Sequence, residues 1–295
     1  MPADRILKAD AEPGSLQFTP DGKALTALCR DQHIRTWDLA TGKLLADRRK
    51  REDGGATLLP GQRYADRAAA GVLRLWDLST STQVQTINGA PPGRVAMSPN
   101  GQHLAIASNT DTQVRLWNAA TGERRHVLAD GLGGAASLVF SPGGDTLVSA
   151  NYDNDIRVWN TRSGELVRKI EEMTGAMFAA EFTPDGKYLV MAGLDQTVYL
   201  WDAKTWQLAR KLKGHGETIS ALAISPDSKT LVTGGFDVIT VKNPVKVVFW
   251  DLSSGRVIRT AHAPHRVIAL AFSPDGKWAA LTAGEKEINV LEVSA

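Results

Sequence analysis

The sequence predicts an all-β protein, a seven-bladed β-propeller of four-stranded antiparallel blades, and two recurring series of residues predict it. The first is a turn built on proline. Thr19-Pro20-Asp21-Gly22 recurs as Leu59-Pro60-Gly61-Gln62, Ser98-Pro99-Asn100-Gly101, Ser141-Pro142-Gly143-Gly144, Thr183-Pro184-Asp185-Gly186, Ser225-Pro226-Asp227-Ser228 and Ser273-Pro274-Asp275-Gly276, with the prolines 40, 39, 43, 42, 42 and 48 residues apart. The second is an aromatic residue followed by an acid or amide. It comprises Trp37-Asp38, Trp76-Asp77, Trp117-Asn118, Trp159-Asn160, Trp201-Asp202 and Trp250-Asp251, with Leu291-Glu292 in the seventh place.

Each element of the unit follows from these marks. Proline presets φ at the second position of a turn, and Asp or Asn with Gly suits the positions after it. Short apolar runs flank the turn, such as Leu270-Ala271-Phe272 before it and Trp278-Ala279-Ala280-Leu281 after it, so the turn joins two strands. Runs such as Val114-Arg115-Leu116 and Ile156-Arg157-Val158 alternate with period two and lead into the Trp, giving a third strand. Thr41-Gly42, Thr121-Gly122, Ser163-Gly164 and Ser254-Gly255 then turn the chain into a fourth strand. Four antiparallel strands in each repeat make one propeller blade. Five units space proline and the Trp position by 17 or 18 residues; the second is one shorter and the sixth carries an insertion within 237–245.

Bulk composition sets the outer limits. The chain has 295 residues, 43% hydrophobic and 22% charged, with a formal net charge of +2. Such a length, folded compactly, buries roughly 75% of the surface of its unfolded form, so neither disulfide nor metal is needed for stability. Near-neutral charge argues against a globally basic nucleic-acid binder. Cys29 is alone, and no apolar run approaches the ~18 residues of a membrane span. Met1 to Asp10 carries Asp4, Arg5 and Lys8 and lacks the apolar stretch of a signal peptide, which makes the cytoplasm the default expectation. The same pattern is compatible with a module cut from a longer chain.

With six Trp-Asp or Trp-Asn dipeptides at constant phase and matching turns, the chain resembles the WD40-repeat proteins over almost its whole length. That resemblance implies one propeller domain over residues 1–295, non-catalytic and without cofactor, that binds a protein or peptide. It also implies that Arg5-Ile6-Leu7-Lys8 supplies the missing fourth strand of the last blade, because an open ring leaves exposed strand edges. Deleting residues 1–9 is expected to lower thermal stability.

Several residues look catalytic and read better as structural. The resemblance implies a hydrogen-bonded set of His, Ser or Thr, Asp and Trp within a blade, complete here in the sixth unit as His215, Thr233, Asp237 and Trp250. Read as a triad, His215, Thr233 and Asp237 would suggest a nucleophile, but the family's structural spacing accounts for them. Ser149, Asp153 and Trp159 give three members in the fourth unit, while Asp31, Asp111 and Asp195 stand in place without the full set. His262 and His265 lack further ligands for zinc, so no metal site is expected. Trp206 and Trp278 fall outside the repeat position and are expected to pack.

Binding is expected on the face formed by inter-blade connections and second-to-third-strand loops, whose lengths vary. There Tyr152, Leu194 and Phe236 occupy one structural position in three adjacent blades, with the Met173-Thr174 loop in the same sector, as an apolar patch suited to a partner. A basic sector of Arg48, Arg49, Lys50 and Arg51 with Arg30 and Arg266 suits an acidic peptide or phosphate groups. The second unit is irregular: Arg63-Tyr64-Ala65-Asp66-Arg67 stands where an apolar strand is normal, and Ala70 where Asp is normal. The leading expectation is a monomeric interaction scaffold, alone or within a larger assembly. Two alternatives stay open, a hydrolase- or lactonase-like propeller enzyme and a binder of phosphate-rich ligands.

Overall fold

Every proline turn, and the Trp position of each of the first six units, closes a strand hairpin in the computed structural model, which describes residues 5–50, 55–69, 71–108, 111–129, 134–171, 173, 175–236 and 244–293. The N-terminal strand is β1 (Arg5–Lys8). Blade 1 then comprises β2 (Pro13–Phe18), β3 (Ala24–Cys29), β4 (His33–Asp38) and β5 (Leu44–Arg49); blade 2 comprises β6 (Ala56–Leu59), β7 (Arg63–Ala69), β8 (Val72–Asp77) and β9 (Gln83–Asn88). Blade 3 follows with β10 (Gly93–Met97), β11 (His103–Ser108), β12 (Val114–Asn118) and β13 (Arg124–Leu128), and blade 4 with β14 (Ala135–Phe140), β15 (Thr146–Asn151), β16 (Ile156–Asn160) and β17 (Leu166–Ile170). Blade 5 holds β18 (Met177–Phe182), β19 (Tyr188–Gly193), β20 (Val198–Asp202) and β21 (Leu208–Leu212). Blade 6 holds β22 (Thr218–Ile224), β23 (Thr230–Phe236), β24 (Val245–Asp251) and β25 (Val257–Ala263), and blade 7 ends the chain with β26 (Leu270–Phe272), β27 (Trp278–Thr282) and β28 (Glu287–Glu292). Among the described residues there is no helix, hence none long and apolar enough to cross a membrane.

Closure follows the expected scheme. β1 pairs antiparallel with β28, Arg5 opposite Val290 and Lys8 opposite Glu287, so the last sheet runs β1-β28-β27-β26. Leu7 of that borrowed strand is buried with Phe18, Trp37 and Trp278, which ties blade 7 to blade 1. The Arg5 guanidinium donates to the Leu39 carbonyl of blade 1 at 2.5 Å, and Lys8 pairs with Glu287 at 2.5 Å.

The repeated residues do their work in the turns and between the blades. In the proline turn of blade 1, Thr19 Oγ1 donates to Asp21 at 2.6 Å while the Lys23 amide donates to the same carboxylate at 3.0 Å. After the Trp, the Asp or Asn side chain accepts the amides that follow it, as Asp38 does from Thr41 at 2.7 Å and Asn118 from Ala120 at 2.9 Å. These hydroxyl and amide donors hold the Asp77 and Asp251 carboxyls down at about 2, so both turns keep their charge at neutral pH. In blades 1 to 6 the third and fourth strands shift register immediately before the Trp, an added residue that sharpens twist. Trp206 packs edge-on against Phe182, and Trp278 is buried beside Trp37, both in packing roles.

Candidate functional site

Antiparallel blades place their connections on two faces. One face carries the proline turns and the turns after each Trp. The other carries the inter-blade connections and the second-to-third-strand turns, where the apolar and basic residues were expected.

On that second face the local structure is set by an aspartate device. Asp31, Asp111, Asp153 and Asp195 each accept the backbone amide two residues on, at 3.1–3.2 Å, and the intervening residue adopts positive φ in all four. Each carboxylate also reaches the side chain four residues ahead on the third strand. Asp31 holds the buried Arg35 at 2.6 Å, Asp153 holds Arg157 at 2.9 Å, Asp111 holds Arg115, and the Tyr199 hydroxyl donates to Asp195 at 2.5 Å. The Arg35 hydrogen bond keeps the Asp31 carboxyl below its ordinary value. The sequence shows these aspartates but not their i+4 partners, because the spacing closes only once the turn has formed.

Tyr152, Leu194 and Phe236 occupy one register position, each following the last paired residue of the second strand or ending it. The Tyr152 and Leu194 amides donate to Gly134 and Ala176 carbonyls at 3.0 Å, anchoring both turns against their own inter-blade connection. Gly193, before Leu194, lies so close to the Ala176 carbonyl that a Cβ there would stand 2.0 Å from the oxygen. Gly235, before Phe236, meets the Thr218 carbonyl in the same way at 1.8 Å. The glycines therefore let the inner strand approach and fix where the next side chain emerges. Tyr152 is 58% exposed and Leu194 48%, while Phe236 is half-buried. Among the described residues the other exposed large apolar side chains, such as Leu45, Val127, Val167 and Ile258, lie on the outermost strands of the blades. Met173 does not join the patch. It is 7% exposed and packs in the core with Met177 and Tyr199, because the connection bends its side chain into the blade 4–blade 5 interface. Thr174 lies outside the described residues.

The basic sector separates into parts. Arg30, in blade 1, has the register position that Tyr152 has in blade 4. Arg30 and Arg266 converge on one carboxylate, Glu12, at 2.7 and 2.5 Å. Arg48 and Arg49 belong to β5 rather than to the connection after it, and Arg48 turns toward the Leu78 carbonyl and Ser81 of blade 2. Lys50 is buried, and Arg51 lies outside the described residues. Strand pairing of β5 with β4 thus spreads a run that looks contiguous in sequence.

In blade 6, Trp250 Nε1 donates to Thr233 Oγ1 at 2.9 Å, and the Thr233 hydroxyl reaches the Val248 carbonyl at 3.4 Å. His215 is fully buried. Burial lowers its pKa to about 4, only partly opposed by the backbone of Thr233 and Glu217 beside the ring, so it is neutral at physiological pH. Asp237 and the insertion to residue 243 lie outside the described residues. Trp159 donates to Ser149 at 3.2 Å in blade 4. In blade 2 the irregular run forms the second strand after all. Tyr64 stacks on Trp76 at 6.0 Å, and the buried Asp66 accepts from Trp76 Nε1 at 2.9 Å in the place where Thr233 stands in blade 6. Nothing in the sequence pattern singled Asp66 out. Ala70 lies outside the described residues. His262 sits on β25 and His265 in the connection after it; among the described residues no three metal-binding side chains cluster.

On the other face, four consecutive blades surround a cavity of about 520 Å³ at the proline-turn end of the axis, lined by inner-strand residues and carrying Glu181 on its wall. This feature was not anticipated from sequence.

A closed ring of seven four-stranded blades, with buried tryptophans hydrogen-bonded to the second strand in three of them, defines a β-propeller of the Trp-Asp repeat type. The chain belongs to the WD40 family: residues 81–118, 126–160, 164–202, 206–237 and 255–290 match the WD domain, G-beta repeat, which together is more than half of the chain. The chain is 32% identical over 139 residues to an uncharacterized WD repeat-containing protein of Synechocystis sp. (strain ATCC 27184 / PCC 6803 / Kazusa). That match takes in 45% of this chain and 40% of the relative, so it spans less than half the length of either. Propellers of this family commonly serve as protein-interaction scaffolds and are typically non-enzymatic.

Proposed function

We infer that the protein is a non-catalytic scaffold that holds a protein or peptide partner on the face of its inter-blade connections and second-to-third-strand turns. Tyr152 and Leu194 are the anchors, with Phe236 at the patch edge. One observation carries this reading: among the described residues, Tyr152 and Leu194 are the exposed large apolar side chains that stand on turns, at equivalent points of neighbouring blades, while the rest lie on outer strands. Large apolar and aromatic anchors surrounded by polar rim are what partner surfaces bury. Arg30 and Arg266, bridged by Glu12, add a residual positive rim around the ring from the patch. The aspartates of the turns, tied to the buried Arg35, Arg157 and Tyr199 on the third strands, form a rigid base for it.

Affinity capture followed by mass spectrometry tests the reading. The double variant Tyr152→Ala plus Leu194→Ala is expected to lose the specific partner, while Leu45→Ala plus Val167→Ala on outer strands retains it. Retention of every partner by the turn variant, with folding intact, would remove this surface.

A further inference from the structure

The cavity on the proline-turn face has the features of a built small-molecule site. Its volume of about 520 Å³ falls in the range that encloses a small ligand. Leu58, Met97, Phe140 and Phe182 make its wall, and Pro99 and Pro184 stand exposed at its mouth. These residues come from turns and inner strands that pairing holds rigidly, so the space is formed before any ligand arrives.

Within this apolar wall Glu181 is the one ionisable side chain among the described lining residues. Strand register identifies its equivalents in the other six blades as Gln17, Thr57, Ala96, Val139, Ala223 and Ala271. All six are neutral, so the repeat does not require a carboxylate at this point of the inner strand. Packing does not require it either, since Ala and Val fill the same position. A carboxylate removed from bulk water is costly unless a cation or several donors meet it. Burial pushes the Glu181 carboxyl up to about 8, and the Ile224 backbone is what opposes that shift; no cationic side chain pairs with it among the described residues. The side chain stands half-buried at the cavity wall.

We propose that this cavity binds a small organic cation, an ammonium group on an aliphatic or aromatic body, with the ammonium paired to Glu181 and the body against Leu58, Met97, Phe140 and Phe182. The entering ammonium supplies the counter-ion that the wall lacks, so the Glu181 carboxyl releases its proton to solvent and pairs as a carboxylate, while the body removes apolar surface from water. The site lies on the face opposite Tyr152 and Leu194, so it stands independently of the scaffold reading.

Titration of the protein with 2-phenylethylamine and with its neutral analogue 2-phenylethanol, followed by the NMR signal of the Met97 methyl and by calorimetry, tests this. The amine is expected to shift the Met97 signal and to bind at least tenfold more tightly than the alcohol. Glu181→Gln, checked for folding by its circular dichroism, is expected to bring the amine down to the affinity of the alcohol. Equal binding of amine and alcohol, an amine affinity unchanged in Glu181→Gln, or no response at Met97 would each overturn the proposal. So would binding of lysine-containing peptides without binding of the free amine, which would assign the cavity to a protein-borne cation.

Discussion

Blade 6 and blade 2 solve one problem with different chemistry. Each buries a tryptophan whose indole N–H needs an acceptor on the second strand, and each finds it 2.9 Å away. Blade 6 offers the neutral hydroxyl of Thr233, itself hydrogen-bonded onward to the third strand. Blade 2 offers the fully buried carboxylate of Asp66, in a strand that also carries Arg63 and Arg67. Arg67 lies against the neighbouring blade, donating to the Gly93 carbonyl at 3.0 Å, and burial lowers its pKa. The comparison teaches that two blades reach one hydrogen-bond geometry with different residue types. Blade 2 keeps that geometry with charged groups whose desolvation must be met by partners, so it should be the more brittle of the two.

The largest effect expected from this contrast falls on Asp66. Asp66→Ala leaves the Trp76 indole without its acceptor and strands the groups that faced the carboxylate, a loss of about 3–4 kcal/mol. Asp66→Asn keeps an acceptor at the same distance and should recover most of it. Urea unfolding of both variants measures the difference; equal midpoints for Asp66→Ala and the parent would show that the buried carboxylate carries no weight in blade 2.

Acid probes the blade 6 side. His215 has its pKa lowered from 6.5 to about 4, so the unfolded chain takes up a proton at a pH where the folded chain does not. The stability associated with a neutral His215 is therefore fully present above pH 6.5 and is lost as pH falls through about 4, amounting to at most about 3 kcal/mol. Burial lowers the pKa of His103 as well, so it adds to the same slope. Thermal melts between pH 7 and 4 should show a shallower decline in His215→Phe than in the parent. The turn carboxylates of Asp77 and Asp251, held at about 2, lose their contribution only below pH 4, so the two windows separate. An unchanged slope in His215→Phe would place the acid sensitivity elsewhere.

What could be read from sequence, and what could not, divides along the same physical line. The proline turns and Trp-Asp dipeptides are local: each residue's φ preference or capping group acts within five positions, so spacing alone reveals the blades. The closure by Arg5–Lys8 was implied by the family resemblance, supported by the count of strands and the cost of an open edge. Asp66 was hidden because Arg63 to Arg67 reads as a solvated charge run until the register sets Tyr64 opposite Trp76. Glu181 was hidden because alternation on an inner strand does not say that the polar side faces a cavity. Met173 was misplaced because loop membership says nothing about which way a side chain turns. Tyr152 and Leu194 emerge where phase with the Trp puts them, at the offset from the Trp that Arg30 also has in blade 1.

A smaller effect is expected at Thr233. Thr233→Val preserves shape and removes the oxygen, leaving the Trp250 indole buried and unpaired, at a cost of about 1–2 kcal/mol. Asp66→Val measured beside it sharpens the comparison: a loss of the same size in both blades would mean that the charge on Asp66 contributes nothing beyond its role as acceptor.

The smallest effect belongs to a blade that never made the bond. In blade 5 the residue aligned with Thr233 is Met191, and Trp201 Nε1 is buried with no acceptor among the described residues. Replacing Trp201 by Phe removes an unsatisfied donor, worth about 1–3 kcal/mol, while the lost ring volume costs a similar amount. The two terms nearly cancel, so Trp201→Phe should shift stability by less than about 1 kcal/mol. Trp250→Phe loses the same volume together with a made hydrogen bond, and leaves Thr233 facing a void, so both terms act in one direction. The difference between the two substitutions in urea midpoint isolates the value of the indole hydrogen bond within one repeat architecture. Equal losses would mean that Trp201 finds an acceptor in solution, and that the pairing in blades 2, 4 and 6 is not what distinguishes them from blade 5.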